Sequence, residues 1–189
     1  MSTSTTGPPA RERLLEAGAD LFYREGVNVG IELLCRTAHV SKRSMYQMFR
    51  TKDEVIAESL AHRAPWYAAL FQPEGEDGSP RERILAVFER LEAATQDESY
   101  LGCPFISTAV ELKDPDHPAS VIARRYKQQL TDYFETEASK GGVKDSSSLA
   151  DQLTIVFDGA NARAVVRAEP LTGVAVTMAT ALLDAAGLA

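Results

Sequence analysis

The sequence predicts an all-α protein, and three observations carry that expectation. Apolar residues recur at helical spacing from one end of the chain to the other. Period-two alternation bounded by turn residues, the signature of a half-buried strand, is nearly absent. The periodic segments are separated by Gly, Pro, Ser and Thr at positions that start and stop helices.

Nine helices are expected. The first spans about 9–25, with Pro8 and Pro9 before it, Leu14, Leu15, Leu21 and Phe22 on its apolar stripe, and Gly26 as its stop. A short helix over 30–38 turns Ile31, Leu34, Cys35 and Ala38 to one side, and His39–Val40 break it. Ser41 then caps a third helix running to Phe49. Thr51 caps a fourth, long helix with Asp53 and Glu54 in its first turn, where the helix dipole favours carboxylates. The stretch PEGEDGSP at 73–80 reads as a mobile surface loop. Beyond it, helices are expected over about 80–97, 103–113, from Pro118 to 140, 147–168 and 171–186. Residues 1–8, rich in Ser, Thr, Gly and Pro, read as a disordered leader without a secretion signal.

Composition narrows the class of function. An apolar content of 44% and a charged content of 25% are ordinary for a globular protein. No apolar run is long enough to cross a bilayer, and two cysteines far apart form no disulfide framework, so a cytoplasmic location is expected. Three histidines without ligand spacing give no metal site, and no nucleophile elbow, phosphate loop or dinucleotide fingerprint points to an enzyme or a cofactor. The net charge is −7, yet no acid lies between Glu32 and Asp53. Arg36, Lys42, Arg43, Arg50 and Lys52 make that stretch +5 and leave −12 to the remainder. A short basic island in an acidic chain is a local electrostatic footprint for nucleic acid.

Two short helices joined by a tight turn can lay the second across a DNA major groove while the first braces it. In the third helix Val40, Met45 and Phe49 fall on the inward stripe. Lys42, Arg43, Ser44, Tyr46 and Gln47 are left facing out. Arg43 suits guanine and Gln47 suits adenine, and Ser41 at the helix start suits a phosphate.

From Arg11 to Trp66 the chain resembles the N-terminal domain of TetR-family repressors, on Leu21-Phe22, Gly26, Ala38, Val40-Ser41-Lys42, Tyr46, Phe49 and Lys52-Asp53. Leu101-Gly102-Cys103-Pro104-Phe105 and Asp114-Pro115-Asp116-His117-Pro118 resemble one branch of that family more loosely. The resemblance implies a helix-turn-helix domain over 9–51, an effector-binding and dimerisation domain over 52–189, and phosphate contacts from Tyr46 and Lys52. It also implies a homodimeric repressor of a near-palindromic DNA operator, released by a small-molecule effector. Departures are His39 where Gly is usual in the turn, Arg43 in place of a common Gly, and Val29-Gly30 in place of the Thr that opens the second helix. The alternative is a small-molecule carrier with a degenerate reading helix.

Trp66, Tyr67, Phe71, Phe88, Phe105 and Tyr126, with Cys103 and Asn161, are candidates for lining an apolar effector site between the fourth, fifth, seventh and eighth helices. Each is equally readable as core, and Cys103 more readily as inert packing than as a reactive thiol. The last helix has eleven apolar residues in sixteen and one charge, Asp184, which one-sided packing does not hide. Leu153, Phe157, Ala160 and Ala164, with Ala175, Ala179 and Leu182, are therefore expected at an isologous dimer interface.

Overall fold

The computed structural model describes residues 8–71 and 78–189, residues 70 and 71 by their backbone alone. Seven of the eight leader residues, and 73–77 of the expected loop, lie outside the described residues. Among the described residues there are nine helices and no strand: α1 Ala10–Glu25, α2 Ile31–Thr37, α3 Lys42–Met48, α4 Lys52–Phe71, α5 Pro80–Ala94, α6 Pro104–Leu112, α7 Pro118–Lys140, α8 Ser146–Arg167 and α9 Val174–Ala185.

Local chemistry explains most helix ends. Gly26 ends α1 at φ +83°, a conformation that L side chains rarely adopt, while its N–H donates to the Phe22 carbonyl. Ser41 Oγ accepts from the Ser44 N–H at the start of α3. Thr51 Oγ1 accepts from the Glu54 N–H, and Glu54 accepts in return from the Arg50 N–H. Helix α5 opens with Pro80 behind a reciprocal Ser79–Glu82 capping box.

Helix α9 begins three residues later than expected. The Leu171 N–H donates to Thr95 Oγ1 at 3.0 Å, and Gly173 turns the chain at φ +82°. The Glu92 carboxylate of α5 then takes the N–H groups of Gly173, Ala175 and Val176 at 2.7, 2.8 and 3.2 Å. It satisfies the orphan donors of α9 and sits where the helix dipole favours negative charge.

The chain divides into two compact units. The first holds residues up to Arg63 together with Ser107–Ala123; the second holds Ala64–Ile106 together with Arg124–Ala189. A division at residue 52 follows the resemblance, but the first turns of α4 bury Val55, Ile56 and Ala57 within the first unit. There Gly18 lets α1 and α4 approach so closely that an added Cβ would lie 2.3 Å from Ser59 Oγ. In the second unit Ile84, Val87, Phe88 and Leu91 of α5, Leu130 and Phe134 of α7, Leu149, Leu153 and Phe157 of α8, and Ala175, Ala179 and Leu183 of α9 form one core. Each large apolar side chain removed from water there contributes about 1.5–3 kcal/mol. Beside that core the buried Glu137 carboxylate accepts from Arg83 Nε and Lys140 Nζ, both at 2.7 Å.

Candidate nucleic-acid interface

The expected reading element consists of two seven-residue helices that neighbouring side chains hold in place, because a single helix that short is marginal alone. Met45 and Phe49 are fully buried under α3, and Cys35 Sγ of α2 lies 3.7 Å from Met45 Sδ. The turn between the helices runs through His39 at φ +52°, the positive φ that a Gly usually supplies at this position. Arg13 of α1 fixes that turn, donating from Nε to the Ala38 carbonyl at 3.1 Å and from Nη2 to the His39 carbonyl at 3.4 Å. Sequence patterning passes over Arg13, since its targets are backbone atoms 25 and 26 residues away.

Around α3, four of the five residues that the helical stripe turns outward are exposed. Ser41, Lys42, Arg43, Tyr46 and Gln47 are exposed, and Ser44 is half-buried with its N–H on the Ser41 cap. Lys52 is half-buried at the start of α4. The backbone of α3 is thus anchored from below while polar side chains project from its other face. Such a surface can present donors to base edges and cations to phosphates.

One cation is already engaged. Lys42 Nζ lies 2.6 Å from Glu32 Oε1 of α2. The hydrogen bond from Lys42 holds the Glu32 carboxyl below its usual range, and Glu32 in turn pushes the Lys42 ammonium up. Glu32 bounds the acid-free stretch in sequence, and the fold brings it back onto that stretch. Among the described residues no carboxylate pairs with Arg43.

The aromatic residues of the second unit separate into two groups. Tyr67 meets Phe105 edge-on at 5.6 Å, Phe105 stacks on Tyr126 at 3.7 Å, and Trp66, 55% exposed, meets Tyr67 edge-on at 4.8 Å. Burial pushes the Cys103 thiol up, with Lys127 opposing the shift, so the reactive thiolate is disfavoured there despite the helix start. Burial likewise raises the Tyr126 hydroxyl. Lys127 pairs with Asp158 beside this group and lies 4.9 Å above the Phe157 ring.

Phe88 belongs elsewhere. Its ring is stacked by Phe134 at 5.7 Å and met edge-on by Phe157 at 6.2 Å. Asn161 donates to the Phe157 carbonyl at 2.8 Å and accepts from the Tyr100 hydroxyl at 2.5 Å, which occupies its amide. Phe88 and Asn161 therefore stand apart from the Tyr67–Phe105–Tyr126 group, each with partners of its own. The Phe71 side chain lies outside the described residues.

The residues expected at a dimer interface lie in or against the core of the second unit. Leu153, Phe157, Ala160, Ala164, Ala175 and Ala179 are buried inside their own unit, and Leu182 packs against the same core. They are already covered, because α5 and α7 supply partners for that face of α8 and α9. The apolar face left open is a different one. On α8 it carries Ile155, 71% exposed, then Gly159, Ala162 and Val166, the last 84% exposed. On α9 it carries Val174, Met178, Ala181 and Ala185. Both runs have the 4-3-4 spacing of one helix face. A Cβ added at Gly159 would meet nothing within 4 Å.

No helix among the described residues is long and apolar enough to cross a membrane. Residues 14–58 match the family model for bacterial regulatory proteins, tetR family. A crystal structure described as a tetr-transcriptional regulator from Streptomyces avermitilis is 49% identical to this chain. The alignment covers 96% of this chain and 100% of that one, with a TM-score of 0.92. The HTH-type transcriptional repressor NemR of Escherichia coli is 32% identical over 108 residues, 55% of this chain and 54% of the repressor. The HTH-type transcriptional regulator YjdC of Escherichia coli is 22% identical over 161 residues, 82% of this chain and 83% of the regulator.

Proposed function

The chain belongs to the tetR family of bacterial regulatory proteins, and on that premise we propose that it is a homodimeric repressor whose operator affinity is set by a small-molecule effector. The observation that carries the DNA-reading role is the divided chemistry of α3. Met45 and Phe49 are locked beneath it, and Arg43, Tyr46 and Gln47 stand exposed above it. In this reading Arg43 and Gln47 read bases, while Ser41, Lys42, Ser44, Tyr46 and Lys52 hold phosphates.

The exposed 4-3-4 faces of α8 and α9 are the proposed dimer surface. Four such helices form an isologous bundle whose two-fold axis matches a near-palindromic operator, with half-sites about one helical turn or a multiple apart. The effector is proposed to bind near Trp66, Tyr67, Cys103, Phe105 and Tyr126, where a mostly apolar molecule with one or two polar groups finds rings and the Lys127–Asp158 pair.

A gel-shift titration against the DNA upstream of its own gene tests the reading. A discrete, salt-sensitive complex is expected, and the triple variant Lys42→Ala/Arg43→Ala/Lys52→Ala should lose it. Binding of the triple variant with unchanged affinity would place the reading element elsewhere. Absence of any operator complex, together with binding of a small aromatic ligand, would favour the carrier reading.

A further inference from the structure

The α1–α2 loop is held by a residue from far along the chain. Glu111, on the last turn of α6, accepts from the Val27 N–H through Oε2 at 3.0 Å and from Asn28 Nδ2 through Oε1 at 3.1 Å. Gly26 leaves room for that carboxylate, since a Cβ there would stand 2.7 and 2.8 Å from its two oxygens. All four residues belong to the first unit, to which α6 contributes its turns from Ser107 onward. The loop leads directly into α2, whose N-cap, Gly30, has no side chain to offer its orphan N–H groups.

Helix α2 is therefore steered at both ends from outside itself. Arg13 grips the carbonyls just past its C-terminus, and Glu111 grips the loop just before its N-terminus. Between those grips it packs on α3 through Cys35 and Met45. A shift of the loop becomes a tilt of α2, and the tilt is passed to the side chains of α3. Base readout is geometrically demanding, whereas non-specific attraction to phosphate needs only cations.

We propose that Glu111 is a positioning residue for operator recognition, setting the angle of the reading helices through the Val27 amide and the Asn28 side chain. The proposal rests on the DNA-reading function proposed above, and it adds a specificity-determining residue that lies on neither α2 nor α3. Glu111→Gln retains one acceptor and sets an amide N–H₂ against a donor. Asn28→Ala removes the other half of the contact from an exposed position.

The test measures the fluorescence anisotropy of the wild type, Glu111→Gln, Asn28→Ala and the double variant on two duplexes: the upstream operator and an unrelated sequence of equal length. Operator affinity should fall about five- to ten-fold in Glu111→Gln. The unrelated duplex should bind unchanged, and the double variant should lose less than the two single losses multiplied. A purely structural role would lower both affinities together, along with the melting temperature, and would overturn the proposal. Unchanged operator affinity in both single variants would overturn it as well.

A DNA-free measurement separates this proposal from the function it rests on. Amide hydrogen exchange should quicken at Val27 and along Ile31–Leu34 in Glu111→Gln, whether or not any operator is found. Exchange identical to the wild type there would defeat the positioning role even if operator binding were established. If Glu111→Gln unfolds, the same exchange and anisotropy readouts on Asn28→Ala decide the matter.

Discussion

The two apolar–polar boundaries of this protein, one on α3 and one on α8 and α9, are drawn by the same physics and differ in how they are marked. On α3 the buried side is two large residues and the open side is polar, so one helical wheel sorts them. On α8 and α9 apolar residues stand on both sides, and only the tertiary partners decide which face is core. A helix that is polar on one face announces its orientation. A helix that is apolar all round announces only that something else must cover it.

The sharpest break between the regions comes from introducing one charge on each face of the α8–α9 pair. Gly159→Glu adds a side chain where the protomer leaves open space, so folding should be unaffected. If the open face is the dimer surface, the protein should sediment as a monomer and lose about 100-fold or more in operator affinity, as bivalent binding is lost. Ala179→Glu instead buries a charge in the core of the second unit. It should cost on the order of several kcal/mol and broaden or abolish thermal unfolding. A Gly159→Glu protein that remains dimeric, or an Ala179→Glu protein as stable as the wild type, would invert the assignment of the two faces.

That inversion is what sequence reading risks in this region. Helix existence is legible throughout, because Ser41, Thr51, Ser79, Gly26 and the prolines act within a few residues of themselves. His39 at positive φ is legible for the same local reason. The face assignment of α8 is not, since Phe157 and Val166 are equally apolar and only contact with Phe88 separates them. Glu92 capping α9, Arg13 gripping the turn and Glu111 gripping the α1–α2 loop are invisible for a further reason. Each acts on backbone groups across 25 or more residues, and any acid or base at those positions would read as an ordinary solvated side chain.

Charge is also managed differently in the two regions, which gives a pH test. Burial opposes ionisation of Glu137 in the second unit, but the hydrogen bonds and charges of Lys140 and Arg83 win and hold its carboxyl below the usual range. A carboxyl lowered on folding stabilises the native state above its unfolded pKa, and that contribution is lost as pH falls through the folded value. Glu137→Gln should therefore cost about 1.5–3 kcal/mol near neutrality. The gap to the wild type should narrow below about pH 4, where the unfolded carboxyl takes up its proton. Urea unfolding across pH 3–7 measures it, and a pH-independent gap would deny Glu137 this role.

On α3, where charge stays in water, the effects should be selective. Arg43→Ala and Gln47→Ala should each cost roughly 1–3 kcal/mol at the base pair contacted and leave other positions of the operator unaffected. Lys52→Ala should weaken all sequences evenly and flatten the salt dependence by about one unit of slope. Competition binding against single-base operator variants separates the two patterns. A uniform loss from Arg43→Ala would reassign that side chain from base to phosphate.

The smallest effect concerns the one cation of α3 that the protein neutralises itself. Lys42 and Glu32 are both well exposed, so their pair adds little to stability. Its consequence for DNA is larger than its strength. A phosphate that recruits Lys42 must displace Glu32, whose carboxylate also stands close enough to repel the incoming anion. Non-specific binding, which is driven by cations releasing condensed counterions, should feel this more than operator binding, where base contacts also contribute. Glu32→Gln keeps the side-chain shape and removes the charge. Affinity for an unrelated duplex should then rise by a few-fold, its salt slope should steepen by about one unit, and operator affinity should change less. The discrimination between operator and bulk DNA should fall accordingly in Glu32→Gln, the outcome expected if Glu32 restrains the lysine. Equal salt slopes for Glu32→Gln and the wild type would show that Lys42 leaves its carboxylate on DNA without cost, and the pair would then have no bearing on recognition.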